Sequence, residues 1–307
     1  MTVKARLTAV LAALSFLGVV AGAPASANPI DPPGVLTFSG LPRTYVVHAP
    51  AGRPPGALVV NLHGSGMTGA DQAALTGYNA IADQYGFVVA YPDGIDLSWA
   101  DGRGASVPDR QGIDDVGFLA ALIERLSGQY GIAPGRVFVT GMSAGAFMAN
   151  RLACDRADLV SAVAPVAGTL GSGVPCAPSR PVSVLQIHGT GDPVVPFNGG
   201  GMVGRGGASD VLSAPAMAQR WSALDGCPGP PVDGPPAPGE VQRAIVAGCA
   251  GGTLVELVRI DGGGHIWPAG PAISASHASA QFFATRPRLN AALMRCGFDP
   301  AHPGADR

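Results

Sequence analysis

The clearest candidate for a reactive residue is Ser143, in the pentapeptide "GMSAG" between a predicted strand, "RVFVT", and a predicted helix, "AFMANRLA". A serine at a tight strand-to-helix corner, with a glycine two positions away on each side, is typical of a nucleophile elbow. The chain contains 45 glycines, so the setting of the pentapeptide is stronger evidence than the pentapeptide itself. We therefore predict that Ser143 is the nucleophile of an acyl-transfer reaction.

A serine hydroxyl needs a histidine base and a carboxylate that orients the histidine. On a parallel sheet with a nucleophile elbow, the acid and then the base follow the serine, each after a later strand. Asp192 follows "VSVLQIHGTG" and His265 follows "VELVRIDGGG", so both lie where this order expects them. His188 and Asp261 are the alternatives. His188 is in the wrong place in the order to be the base, and Asp261 lies only four positions before His265.

Two backbone N–H groups are predicted to form an oxyanion hole, which acyl transfer requires. One belongs to Ala144, directly after the nucleophile, and the other to Ser65 in the turn after "VVNLHG", for which a plain turn is the alternative. Trp267, Trp99 and His63 are candidate substrate-binding residues because they lie near these segments in the sequence. Each tryptophan could instead be a packed loop anchor.

The fold class predicted by the sequence is α/β. Continuous apolar runs such as "ALVVNL" and "FVVAYP" alternate with helical segments, which include Ala70 to Tyr85, and this pattern is typical of a mostly parallel sheet with helices on both faces. Asp114 and Asp115 are interpreted as capping residues of the next helix. The glycine-rich segment from Gly199 to Gly207 is predicted to be a flexible loop near the site.

The composition argues against several classes of function. Lys+Arg 19 and Asp+Glu 21 give a net charge of −2, so no basic field attracts nucleic acid or anionic lipid. Lys4 is the only lysine, and it lies in the predicted signal, which argues against lysine-based covalent chemistry and phosphate binding by a P-loop. We expect no cofactor and no metal, since no cysteine pair or histidine has ligand spacing.

Residues 1–27 are predicted to be a signal peptide. Lys4 and Arg6 precede an apolar run, and the small residues Ala25 and Ala27 suit cleavage after Ala27. The run is short for a bilayer span, so we expect a secreted, extracellular protein without stable membrane insertion, rather than one held by an uncleaved anchor. The mature chain is expected to comprise one domain, residues 28–287, and a C-terminal tail, residues 288–307.

The five cysteines favour disulfides in an exported protein. The local pairs Cys154 with Cys176 and Cys227 with Cys249 are the simplest choice, although four cysteines permit three pairings. Cys296 would then remain without a partner.

The chain resembles the secreted esterase family that joins poly(3-hydroxybutyrate) depolymerases with feruloyl and acetylxylan esterases. The segments that carry the resemblance lie, in order, between about Gly34 and Pro287: "LHGSG", "DDVGFLAALI", "GMSAGAFMANRLAC", "HGTGDPVVPF", "RWSALDGC" and "GGGHIWP". The resemblance implies an α/β-hydrolase fold, a triad matching Ser143, Asp192 and His265, and a Cys154 to Cys176 bridge.

We therefore expect a secreted serine esterase. Its substrates would be hydroxybutyrate oligomers or polyester, or feruloyl and acetyl esters of polysaccharide. Two alternatives remain: an acyltransferase that uses the same triad, and an inactive hydrolase-fold protein that only binds its ligand.

Overall fold

The apolar runs of the sequence form strands of one large sheet in the computed structural model, which describes residues 33–52, 54–234 and 240–286. The predicted signal peptide and Cys296 lie outside the described residues, as does the predicted tail. All the described residues belong to one compact unit.

The described residues contain twelve strands: β1 (Gly34–Phe38), β2 (Leu41–His48), β3 (Ala57–Leu62), β4 (Phe87–Pro92), β5 (Val137–Met142), β6 (Ala162–Val166), β7 (Ser183–Gly189), β8 (Gly200–Gly204), β9 (Gly207–Val211), β10 (Val232–Asp233), β11 (Val241–Val246) and β12 (Val255–Ile260). Ten of them form a sheet in the order β1-β2-β4-β3-β5-β6-β7-β12-β11-β10. The six central strands, β4, β3, β5, β6, β7 and β12, are parallel to one another. At one end of the sheet β2 and β1, and at the other end β11 and β10, pair in antiparallel fashion. The carboxyl ends of β5, β7 and β12 therefore meet at one edge.

Seven α-helices lie among the described residues: α1 (Gly69–Thr76), α2 (Tyr78–Tyr85), α3 (Val107–Gln111), α4 (Asp115–Tyr130), α5 (Ala144–Asp155), α6 (Ala214–Leu224) and α7 (Ala275–Ala284). Neighbouring residues of β3 pack on opposite faces of the sheet. Val60 shares a hydrophobic cluster with Leu122 of α4, whereas Val59 shares another with Phe283 of α7. Helices thus cover both faces, as the unbroken apolar strands predict.

Three local predictions need correction. The segment from Ala70 to Tyr85 forms two helices, because Gly77 adopts a left-handed conformation with φ of 56° that ends α1. The glycine-rich segment after Gly199 is a paired hairpin, β8 with β9. Asp114 caps α4 as predicted, but Asp115 is buried and binds Arg43 at 2.6 Å, so it is mainly an ion-pair residue.

Disulfides join Cys154 to Cys176 and Cys227 to Cys249, the pairs that the sequence favours. The first ties the end of α5 to the loop after β6. The second ties the segment after α6 to the turn before β12. The first bond thus fixes a loop to a helix, and the second joins two connecting segments.

Asp225 follows α6 and is completely buried, with Oδ1 accepting the Val182 N–H at 3.1 Å. Burial raises the pKa of Asp225 to about 6, and the hydrogen bonds from Val182 and Thr253 offset only part of this increase. In an unfolded chain an aspartate has a pKa of about 3.9. The folded state therefore binds the proton more tightly, and the contribution of Asp225 to stability is lost as pH rises from about 4 to about 6.

Replacing Asp225 with asparagine should remove this pH dependence, since an amide does not ionise in that range. Relative to the natural chain, we expect the free energy of unfolding of the variant to rise by up to about 3 kcal/mol between pH 4 and pH 7. Urea unfolding of both proteins at several pH values measures this difference. If the free energies of unfolding of the two proteins change with pH in the same way, the prediction is contradicted.

Candidate active site

Ser143 occupies a sharp corner between β5, which ends at Met142, and α5, which begins at Ala144. Its backbone has φ of 55° and ψ of −118°, a strained conformation for a residue other than glycine. A side chain on either Gly141 or Gly145 would collide with the carbonyl oxygen of Leu62, so the corner requires both glycines. The corner presents Ser143 at the carboxyl edge of the sheet, as a nucleophile elbow does.

Asp192 follows β7 at the same edge, and the exposure of its side chain is 0%. Its Oδ1 accepts the N–H groups of Val194 at 2.8 Å and Val195 at 2.9 Å, and its Oδ2 lies 2.8 Å from Nδ1 of His265. Burial opposes the charge of Asp192, but hydrogen bonds from His188, His265 and the two N–H groups outweigh it and hold the pKa of the carboxyl well below its usual range. Asp192 is therefore a carboxylate.

His265 lies in the loop after β12, which is bound to the loop after β7 by the Gly191 N–H donating to Gly263 at 2.9 Å. Because Nδ1 faces the carboxylate of Asp192, the neutral ring carries its proton there, which leaves Nε2 as the acceptor. Within the described residues, neither Nε2 of His265 nor the hydroxyl of Ser143 has a hydrogen-bond partner. Both atoms remain available for chemistry, and such contacts often form fully only with substrate.

The two alternatives considered from the sequence have other partners. His188 is buried, donates from Nε2 to the Val195 carbonyl at 2.9 Å and lies 3.5 Å from Oδ2 of Asp192. It contacts the acid from the buried side of the loop. Asp261 binds Arg259 at 2.7 Å, and its carboxylate does not contact His265.

The loop after β3 approaches the nucleophile closely. A Cβ atom placed on Gly64 would lie 3.7 Å from the Cβ of Ser143. The following N–H groups are used within the protein, since Gly66 donates to Leu97 at 2.8 Å and Met67 donates to Gly64 at 3.2 Å. Among the described residues, the N–H of Ser65 has no backbone acceptor. An N–H group without an acceptor in the protein is what the predicted oxyanion hole requires of Ser65.

Ala144 is the first residue of α5, and the N–H groups of a first helical turn have no intrahelical acceptor. Its N–H lies next to the nucleophile in the chain, at the positive end of the helix dipole. The local geometry thus suits a second oxyanion donor.

His63 supports the loop from inside the core. Its Nδ1 donates to the Gly64 carbonyl at 2.8 Å and its Nε2 accepts the Gly94 N–H at 2.9 Å. Burial lowers the pKa of His63, although the bond to Gly64 opposes the change, so the ring is neutral. The prediction that His63 contacts substrate is not supported, because the ring is buried and both nitrogens are bonded.

The two tryptophans predicted to wall the site are also in the core. Trp99 is 0% exposed and donates to the His63 carbonyl, and Trp267 is 5% exposed and donates to Ser276 of α7. That prediction rests on proximity in the sequence, which does not determine where a ring packs. Both residues anchor loops, which is the packing alternative.

The β8–β9 hairpin lies beside the candidate site. Met202 and Val211 of the hairpin pack with Phe147 of α5 and with Val195, which is bonded to Asp192. The hairpin therefore packs against the nucleophile helix and the loop that carries Asp192. Its sequence, rich in glycine, contained little periodic signal that could predict this position.

Comparisons with known proteins show which family the chain belongs to. The sequence matches the family described as Esterase PHB depolymerase over residues 44–218. Feruloyl esterase C from Emericella nidulans is 30% identical over 263 residues, which cover 81% of this chain and 86% of that protein. Feruloyl esterase B from Piromyces equi is 32% identical over 189 residues, which cover 59% of this chain but only 34% of that longer protein.

Among solved structures, an acetyl xylan esterase from Aspergillus awamori has a TM-score of 0.57 at 16% identity, with 82% of this chain and 98% of that chain covered. The sheet, its flanking helices and this likeness define an α/β-hydrolase fold, which confirms the predicted fold class. The chain belongs to the Esterase PHB depolymerase family and is a carboxylic-ester hydrolase.

In the part of the chain that the structure describes, no helix is both long enough and apolar enough to cross a bilayer.

Proposed function

We propose that the protein is a secreted serine esterase that hydrolyses carboxylic esters through an acyl-enzyme on Ser143. The observation that carries the proposal is the 2.8 Å hydrogen bond between Asp192 and His265, at the sheet edge that holds the strained Ser143. A nucleophile, an orienting carboxylate and a base, in this order along the chain, form the triad of hydrolases with a nucleophile elbow.

In the first half-reaction, the hydroxyl oxygen of Ser143 attacks the ester carbonyl while Nε2 of His265 accepts the hydroxyl proton. Asp192 holds the ring in the required tautomer and stabilises its positive charge. The oxyanion of the tetrahedral intermediate accepts hydrogen bonds from the N–H groups of Ser65 and Ala144. When the intermediate collapses, His265 gives its proton to the departing alcohol.

In the second half-reaction, water attacks the acyl-enzyme and gives a proton to His265. The second tetrahedral intermediate then releases the carboxylic acid, and the proton returns to Ser143. These steps use only side chains and backbone groups of this chain.

Secretion is part of the proposal. The signal-like residues 1–27 support it, and two disulfides suit an oxidising compartment. The candidate substrates are hydroxybutyrate oligomers or polyester, and feruloyl or acetyl esters of polysaccharide. The family description and the names of the relatives support these classes.

The test combines turnover with covalent labelling. We expect the purified protein to release 4-nitrophenolate from 4-nitrophenyl butyrate, and a fluorophosphonate to add one adduct that peptide mapping assigns to Ser143. Heat-unfolded protein is the control and should not be labelled. A folded protein that neither turns over nor labels would favour the binding alternative, and a transferred ester as the main product in glycerol would favour the acyltransferase.

A further inference from the structure

The tip of the β8–β9 hairpin, residues 204–207, is held firmly beside the candidate site. The guanidinium of Arg110 donates to the carbonyl oxygen of Gly206. A side chain at Gly206 would collide with the backbone of Ala105, so the two segments are in close contact. Arg103 donates to the sulfur of Met202 at 3.3 Å, with its guanidinium 3.6 Å above the centre of the Phe147 ring. These contacts fix the tip relative to the nucleophile helix.

Arg205 extends from this tip towards the loop that carries Ser65. Its Nη1 lies 3.7 Å from the position that a Cβ atom would take on Gly66. Two residues earlier in that loop, Gly64 lies against Ser143, as described above. The guanidinium is thus close to the mouth of the site, on the side of the oxyanion loop.

Arg205 is exposed and forms no ion pair or hydrogen bond with any residue that the structure describes. Arg103, which contacts Met202 of the same hairpin, differs because it forms an ion pair with Asp101 at 2.7 Å. Arg205 is therefore a positive charge without a counter-charge among the described residues, and its guanidinium lies beside the loop of Ser65. A planar guanidinium fork binds a carboxylate with two parallel hydrogen bonds.

We propose that Arg205 forms a subsite for a carboxylate group carried by the ester substrate. The inference rests on the proposed function and deepens it, since it assigns the preferred substrates to esters with a free acid on the acyl or the alcohol portion. A short hydroxy-acid oligomer with a free end and a half-ester of a dicarboxylic acid both have this chemistry. The carboxylate contacts Arg205 equally in the bound substrate and in the transition state. Loss of Arg205 should therefore change mainly KM and leave kcat nearly unchanged.

The experiment compares neutral and charged esters of similar size. One pair is 4-nitrophenyl butyrate and 4-nitrophenyl hemisuccinate, with the charge on the acyl portion. The other is phenyl butyrate and 4-carboxyphenyl butyrate, with the charge on the alcohol portion. For each pair, kcat/KM of the charged ester is divided by kcat/KM of the neutral ester. For at least one pair, we expect this ratio to be about 3- to 10-fold lower in Arg205→Gln than in the natural protein.

Arg125→Gln is the matched control, because Arg125 is also exposed but lies on α4 against the first strand, and the ratio should not change. Added salt should lower the ratio in the natural protein more than in Arg205→Gln. If both ratios are the same in the natural protein and Arg205→Gln, the subsite is disproved while the esterase proposal stands. If the natural protein hydrolyses none of the four esters, the proposed function itself fails.

Discussion

Replacing Ser143 with alanine is expected to lower kcat for ester hydrolysis by a factor on the order of 10⁵ or more, which leaves only background turnover. The variant keeps the oxyanion donors and the Asp192–His265 bond but lacks the atom that forms the acyl-enzyme. Hydrolysis of 4-nitrophenyl butyrate measures the loss, and labelling by the fluorophosphonate should disappear in parallel.

The matched control is Ser179→Ala. Ser179 is exposed and precedes β7, so it lies towards the opposite end of that strand from Asp192. We expect its kcat to stay within about twofold of the natural value, as for most surface substitutions. Thermal unfolding of both variants checks that they are folded. If a folded Ser143→Ala keeps a tenth or more of the natural kcat, another residue must be the nucleophile.

Replacing Asp192 with asparagine is expected to lower kcat at neutral pH by about 10³- to 10⁴-fold. The amide oxygen can still accept the N–H groups of Val194 and Val195, so the loop should keep its shape. The amide nitrogen would then face Nδ1 of His265. It would favour the wrong tautomer of the ring and leave the imidazolium without a counter-charge.

Asp261→Asn is the matched control, because Asp261 is the other acid that the sequence offers for the same role. Its carboxylate pairs with Arg259 near the surface, so we expect a change of less than about threefold in kcat. A larger loss in Asp261→Asn than in Asp192→Asn would reverse the assignment of the orienting acid.

Several features could be predicted from the sequence because the information is local. The corner at Ser143 depends on Gly141 and Gly145 and on the strand and helix directly beside them. The alternation of apolar runs and helices predicts a parallel sheet, and a parallel sheet brings the carboxyl ends of β5, β7 and β12 to one edge. The fold class and the family, both expected from short ordered segments, are confirmed.

Predictions about exposure were less successful. Trp99 and Trp267 lie close to reactive segments in the chain, yet their rings point into the core. The burial of a side chain depends on residues far away in the sequence, such as Ser276 for Trp267. Likewise, the hairpin at residues 200–211 has no strong periodic pattern, and contacts with α5 and with the loop after β7 determine its place.

The sequence by itself determined the reactive residue types, their order along the chain, and the strand-to-helix corner that strains Ser143, because each depends on neighbours within a few positions. Only the tertiary structure decided that Asp192 rather than Asp261 binds His265, that His63 supports a loop, and that Arg205 lies beside the loop of Ser65. These contacts join residues dozens of positions apart. Their free energies depend on how sheet, helices and hairpin pack together, which no short segment encodes.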